Sequence, residues 1–317
     1  MATFQSTDLL PASHPPSILS GGYSLGLIGW PLAHSLSPRL HTAALRAAGL
    51  EVEYRLYPIA PGAAQEKGLS VLLEQVRKKE LHGLNVTIPH KQAVIPWLDE
   101  LTPVARAVGA VNTIYPRDRG LVGENTDVLG FLADVNRLVV AASTASPATE
   151  GIPAKRTALV LGAGGSARAV VYALILSGWN VFIAARRLEQ AKEVGERFAM
   201  SHEQLSGDYE RPSAICHSPS AIGDIAPTCQ LIVNCTPLGM SPNITASPWP
   251  EAVPFPSHAM VYDLVYHPVE TAFVRSARQA GLQAANGLGM LIEQAALSFE
   301  CWTGRVADRE AMRKAGS

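Results

Sequence analysis

The residues whose types and spacing best suit chemistry are Gly162-Ala163-Gly164-Gly165-Ser166-Ala167-Arg168. They form a G-x-G-x-x-A turn between an apolar run and a helical pattern, the arrangement that cradles a dinucleotide pyrophosphate. Gly162 allows the tight turn, Gly164 lets backbone approach the phosphate, and Ala167 is small enough for the helix to pack on the strand. The free N–H groups and dipole of that helix start favour an anion. At the end of the next strand, NAD sites usually place an acidic residue on the ribose 2′-hydroxyl. Ala184-Ala185-Arg186-Arg187 stands there. Two guanidinium groups suit a 2′-phosphate, so the sequence favours NADP. Other polar residues say less on their own. Ser35 and Ser37 precede a helix and read first as caps, as does Asp127. Lys91 alone reads as a surface charge.

These residues need elements to hold them. Ala158–Leu161 is an apolar strand, the pattern after Ser166 is a helix reaching to Gly178, and Val181–Ala185 is the next parallel strand: a βαβ unit. Upstream, Ser24–Ile28 reads as a strand leading through Pro31 to Ser37, and Pro38 starts a helix over 39–48. Tyr54–Ile59 alternates like a strand, and 63–76 has helical periodicity. Leu84–Ile88 is a strand stopped by Pro89, with Lys91 at the start of a following helix. Gly109–Ile114 is a strand, and Gly123–Asp127 is a turn into a helix over 128–138. Residues 139–156 have the composition of a flexible linker or surface insertion. Residues 191–200 are helical, 201–227 are loop-rich, 231–234 and 259–264 are strands, and 291–302 is a helix. The fold class is α/β, and each candidate polar group falls at a strand end, where open α/β sheets bind ligands.

A length of 317 residues predicts two domains, and a hydrophobic fraction of 47% is ample for their cores. A net charge of −1 gives no sign of a nucleic-acid or membrane-surface partner. No window has the apolar length of a membrane span, and the first 20 residues lack a secretory leader's pattern. The four cysteines (Cys216, Cys229, Cys235, Cys301) have no paired spacing and read as reduced thiols of a cytoplasmic protein. His34, His90 and His267 fall outside metal-binding spacing, so no metal is expected.

Taken together, Pro31–Pro38, Asn85-Val86-Thr87-Ile88-Pro89-His90-Lys91, Gly109–Thr113, Asn125-Thr126-Asp127, the glycine turn, Asn234–Met240, Tyr262–Tyr266 and Gly287–Met290 resemble the shikimate dehydrogenase family, in the family's order. The resemblance implies NADP-dependent, reversible reduction of 3-dehydroshikimate to shikimate, a step of aromatic amino-acid biosynthesis. It implies a substrate domain over 1–126, completed by C-terminal helices over 287–317, and a Rossmann-type NADP-binding domain over 127–286. It implies that Lys91 and Asp127 are the catalytic pair, and that Ser35 and Ser37 bind the substrate carboxylate. Thr87, Asn112 and Gln294 would hold carboxylate or ring hydroxyls, with Tyr266 near the substrate. Gly162, Ala163, Gly164, Gly165, Ser166, Ala167 and Arg168 match the pyrophosphate loop. Arg186 and Arg187 would meet the 2′-phosphate, and Thr236, Met240 and Gly287 would lie around the cofactor. The partners implied are small molecules, with the chain a monomer or homodimer.

In two respects the chain departs from the family pattern: Ala185-Arg186-Arg187 replaces the frequent Asn-Arg-Thr, losing a polar residue and gaining an arginine, and segments 139–156 and 201–227 are longer than the family needs. Rival readings are an enzyme of broader quinate/shikimate specificity with NAD use, a non-catalytic metabolite sensor on the same fold, or an NADP oxidoreductase for an unrelated substrate. Retention of both Lys91 and Asp127 disfavours the sensor.

Overall fold

A computed structural model describes residues 22–118, 120–145, 156–201, 216–217 and 219–317. The chain groups into two compact units. One holds the described residues up to Thr126 together with Ile292–Ser317, and the other holds those of Asp127–Leu291. Each is built on a six-stranded sheet.

The first unit runs β1 (Tyr23–Gly29), α1 (Ser37–Ala47), β2 (Val52–Pro58), α2 (Gln65–Arg77), β3 (Gly83–Val86), β4 (Glu100–Leu101), α3 (Pro103–Val108), β5 (Thr113–Arg117) and β6 (Gly120–Glu124). Its strand order is β2-β1-β3-β5-β6-β4. β2, β1 and β3 are parallel, whereas β5 runs antiparallel to both β3 and β6. α3 shows how local chemistry sets an element. The Thr102 side chain accepts from Ala105 N–H, Pro103 opens the first turn, and Gly109 closes the helix at φ 67°. The core gathers Ile28, Leu69, Leu73, Val76, Leu84, Val94, Val111, Ile114 and Leu121. Each such side chain contributes about 1.5–3 kcal/mol relative to exposure.

The second unit runs α4 (Asp127–Ala145), β7 (Arg156–Leu161), α5 (Gly165–Leu176), β8 (Trp179–Ala184), α6 (Leu188–Ser201), β9 (Cys216–His217), α7 (Ile222–Ile225), β10 (Leu231–Asn234), β11 (Met260–Asp263), α8 (Ala272–Gln279) and β12 (Ala284–Asn286). The strand order is β12-β11-β10-β7-β8-β9, parallel throughout. β10 is buried along its whole length, which explains the apolar run Leu231-Ile232-Val233 that leads to Asn234. α9 (Leu288–Thr303) begins in this unit and continues into the first, where α10 (Arg309–Gly316) follows. Trp302 of α9 donates from Nε1 to Ile114 O at 3.1 Å, and its ring lies where a Cβ on Gly83 would be. A side chain at position 83 would therefore push this helix off the sheet.

Several expectations are corrected. Lys91 starts no helix: it lies in a turn, and a 3-10 turn over Ile95–Trp97 follows, with Pro96 inside it. Gly123-Glu124 are not a turn but the end of β6, whose glycines hide it from strand propensity. Gly123 is needed there because a Cβ would meet Leu98 Cδ1 at 2.5 Å. The expected linker is helical through Ala145 and becomes strand at Arg156, while 146–155 lie outside the described residues. Of 201–227, the described part includes β9, α7 and 3-10 turns over Pro219–Ala221 and Ala226–Thr228, while 202–215 and 218 lie outside it. β12, α3 and α8 carry no expectation, whereas α9 and α10 fall within the expected C-terminal helices.

Candidate active site

In the first unit the candidate residues gather at the carboxyl ends of β1, β3 and β6. The loop after β1 carries Ser35, whose Oγ accepts from Ser37 N–H at 3.3 Å. Ser37 is the first residue of α1, and Leu36, at the cap position, offers no side-chain acceptor. Two hydroxyls thus flank the start of α1, a suitable seat for a carboxylate. Thr87 follows β3, and its N–H donates to Ile28 O at 2.8 Å. Gly29 makes this approach possible: a Cβ there would sit 2.2 Å from the Thr87 methyl. Thr87 O accepts from His90 N–H, and His90 Nε2 bonds Ile59 O at 2.7 Å. Lys91 is held next to them. Its carbonyl accepts from Val111 N–H at 2.7 Å, and the residue is only 9% exposed. This is not the solvated lysine that position alone would suggest.

Val111 leads to Asn112, whose amide is extensively bonded. Oδ1 accepts from Thr126 N–H at 2.8 Å, and Nδ2 donates to Thr126 Oγ1 at 2.8 Å and to Gln294 Oε1 at 3.2 Å. The structure therefore brings Asn112 and Gln294 together across 182 residues of sequence. Behind them lies a buried polar cluster that the sequence did not single out: Asn85, Thr113, Thr126 and Ser298. The one local signal for Ser298 is its position four residues after Gln294, on the same helix face.

In the second unit, Asp127 is the first residue of α4, buried to 4% exposure. The glycine turn takes the expected form. Gly162 has φ 111°, a conformation that favours glycine. Open space faces the missing side chain of Gly164. α5 begins at Gly165 without a side-chain cap, so the first amides at Gly165, Ser166 and Ala167 suit a phosphate. Ala163 and Ala167 are buried beneath. Arg186 and Arg187 are exposed on the turn between β8 and α6. Arg168 differs from them. It is buried and donates from Nη2 to Glu193 Oε2 on α6 at 3.1 Å. Burial, reinforced by the Arg197 charge, lowers its pKa. The bond to Glu193 ties α5 to α6.

Thr236 forms the wall behind Gly162, with its methyl 3.2 Å from a Cβ built there. Its N–H and hydroxyl both donate to Asn234 Oδ1, at 2.9 and 2.7 Å. Asn234 is fixed in turn by Asp263, which accepts from Asn234 Nδ2 (2.8 Å), Val265 N–H (3.0 Å) and Thr271 Oγ1 (2.6 Å). Burial pushes the Asp263 carboxyl up to about 6, against those three donors. Met240 is half-buried at the end of this turn, with its N–H on Pro237 O. Gly287 permits a backbone crossing, since a Cβ would lie 2.2 Å from Leu264 O. Tyr266 is half-buried just beyond that crossing. Among the described residues no cluster of histidine, cysteine and acidic side chains could hold a metal ion, and no helix is long and apolar enough to cross a membrane.

Comparison with known proteins adds names to this geometry. The shikimate dehydrogenase substrate binding domain matches residues 27–114, and the shikimate 5'-dehydrogenase C-terminal domain matches residues 287–315. A shikimate dehydrogenase (NADP+) of Symbiobacterium thermophilum is 38% identical over 295 residues, 93% of each chain. The Thermus thermophilus shikimate 5-dehydrogenase, solved with NADP(H) and shikimate, superposes with a TM-score of 0.73 at 35% identity, over 93% of this chain and 98% of that one. The quinate dehydrogenase of Corynebacterium glutamicum, solved with NAD, superposes with a TM-score of 0.79 at 30% identity, over 93% and 98%.

Proposed function

The chain belongs to the shikimate dehydrogenase family, and from that premise we propose that it catalyses the reversible reduction of 3-dehydroshikimate to shikimate with NADP(H). The observation that carries the reading is the likeness, over nearly the whole chain, to an enzyme solved with both NADP(H) and shikimate. The cofactor supplies the hydride. The protein must then orient the ketone and deliver one proton.

Lys91 takes the acid/base role. As the carbonyl carbon gains hydride, its oxygen becomes an alkoxide, and the Lys91 ammonium gives it a proton; in reverse, the amine takes the proton back. Asp127 is the second member of the catalytic pair. Ser35 and Ser37, at the start of α1, receive the substrate carboxylate through their hydroxyls without a buried cation. Thr87, Asn112 and Gln294 hold the carboxylate or ring hydroxyls, and Tyr266 lies near the substrate. The turn from Gly162 to Ala167 receives the pyrophosphate. Thr236, Met240 and Gly287 shape the nicotinamide end. Arg186 and Arg187 receive the 2′-phosphate, and this favours NADP although a fold relative was solved with NAD. The substrate domain is the first unit, the cofactor domain is the second, and the enzyme acts in the cytoplasm.

The test is steady-state oxidation of shikimate and quinate, each with NADP+ and NAD+. Turnover of shikimate with NADP+ alone supports the reading, and comparable quinate or NAD+ turnover moves it to the broader quinate/shikimate class. Lys91→Ala should lower kcat by about 10²–10⁴-fold with NADP binding retained; undiminished turnover rules out the acid/base role.

A further inference from the structure

We propose that Ser298 is a positioning residue for substrate, and that the cluster it anchors turns the Gln294 side chain so that its NH2 group faces the ligand. The proposal rests on the reading of Asn112 and Gln294 as substrate ligands. One group in the cluster has fixed polarity. The Thr126 backbone N–H can only donate, so the Asn112 atom 2.8 Å from it must be oxygen. Asn112 Nδ2 then points at Thr126 Oγ1 and Gln294. The Gln294 atom beside an NH2 group must be Oε1, which leaves Nε2 at the outer end of the side chain. A substrate oxygen there meets a donor.

Ser298 holds this order in place. Its hydroxyl donates to Gln294 O at 2.9 Å, one turn back along α9. Its oxygen receives Asn85 Nδ2 at 3.0 Å and Thr113 Oγ1 at 2.7 Å. Asn85 is itself oriented, since Tyr54 donates its hydroxyl to Asn85 Oδ1 at 2.8 Å. One serine thus joins β3, β5 and α9 directly behind the two ligands. Ser298 and Thr113 are fully buried, so water cannot replace a lost acceptor without opening the packing. In Ser298→Ala the Thr113 hydroxyl has one strong acceptor left, Asn112 Oδ1 at 3.2 Å, which already serves Thr126. The change reaches the Asn112 amide through Thr113, and the Gln294 amide through Asn112.

The experiment measures kcat and both KM values for Ser298→Ala, Gln294→Ala and the double variant, with shikimate and NADP+. The expected result is about a tenfold rise in shikimate KM for Ser298→Ala, the size of one lost buried hydrogen bond, with NADP+ KM unchanged. The double variant should fall short of the product of the two single effects, because part of Ser298's action runs through that side chain. If Gln294→Ala raises KM and Ser298→Ala does not, or if the two effects multiply, the proposal is overturned and the site reading stands. If Gln294→Ala itself leaves KM unchanged, the site reading fails and takes the proposal with it. Ser298→Cys keeps the volume with a weak acceptor and must show the same rise if the alanine variant does not fold; a wild-type KM there overturns the proposal.

Discussion

His41 should make the protein acid-labile through a mechanism that a single substitution removes. It lies on the inner face of α1, fully buried, stacked on Tyr54 at 4.7 Å and tilted against Trp302 at 5.0 Å. Neither ring nitrogen has a hydrogen-bond partner among the described residues. Burial depresses its pKa from 6.5 to about 3; the nearby Asn85 amide opposes this slightly but lies outside hydrogen-bonding geometry. A depressed pKa means that the unfolded chain takes up the proton first, so stability is intact above pH 6.5 and declines as pH falls toward 3. The whole span corresponds to about 5 kcal/mol, and the part lost between pH 7 and pH 5 is about 2 kcal/mol. His41→Phe keeps a ring against Tyr54 and removes both unpaired nitrogens. Urea unfolding of both proteins at pH 7 and pH 5 isolates the effect, because other titrating groups are common to the two. The wild type should lose about 2 kcal/mol more than the variant. Equal losses would show that His41 is not held neutral, and the reasoning from burial would be wrong.

Three further outcomes follow from the geometry. Arg186→Ala with Arg187→Ala should raise NADP+ KM by about 10²-fold or more, two charge-assisted hydrogen bonds' worth, and leave any residual NAD+ KM unchanged; an equal effect on both cofactors would place the arginines away from the 2′-phosphate. Gly83→Ala should destabilise the protein by about 1–3 kcal/mol, because the added methyl meets the Trp302 indole, and a thermal melt at wild-type temperature would contradict this. Gly287→Ala should lower activity as well as stability, since its methyl meets the Leu264 carbonyl and must displace backbone next to Leu288–Met290; circular dichroism and steady-state kinetics together read both effects.

What the sequence makes legible is local. The glycine turn announces itself because its turn, its approach to phosphate and its helix packing all depend on adjacent residues. Ser35, Ser37 and Thr87 stand out only through the family resemblance, since hydroxyls beside a strand end or helix start read locally as caps. The hub around Ser298 is not visible, since its members come from positions 85, 113, 126 and 298, with up to 213 residues between bonded partners. Burial of Lys91 is equally hidden, because it depends on a hydrogen bond to Val111 and not on the residues beside it. The β5–β6 hairpin escapes for another reason: Pro116, Gly120 and Gly123 oppose strand propensity, and tertiary fit at Leu98 overrides it.

The division of the first unit has a consequence for the order of assembly. Its sheet is finished by α9 and α10, which a ribosome delivers only after the 127–291 segment, so the nascent first half must wait with the seat of Trp302 unfilled. Closing that gap across the intervening 127–291 segment as loose chain would cost about 4.5 kcal/mol in loop entropy. The flanks of the segment are pinned together by the bond from Thr126 Oγ1 to Gln294 O, at 3.0 Å. If the inserted segment folds first, it acts as a pre-tied knot that removes most of this entropic cost. Refolding should then show an early phase from the insertion and a later one reported by Trp302.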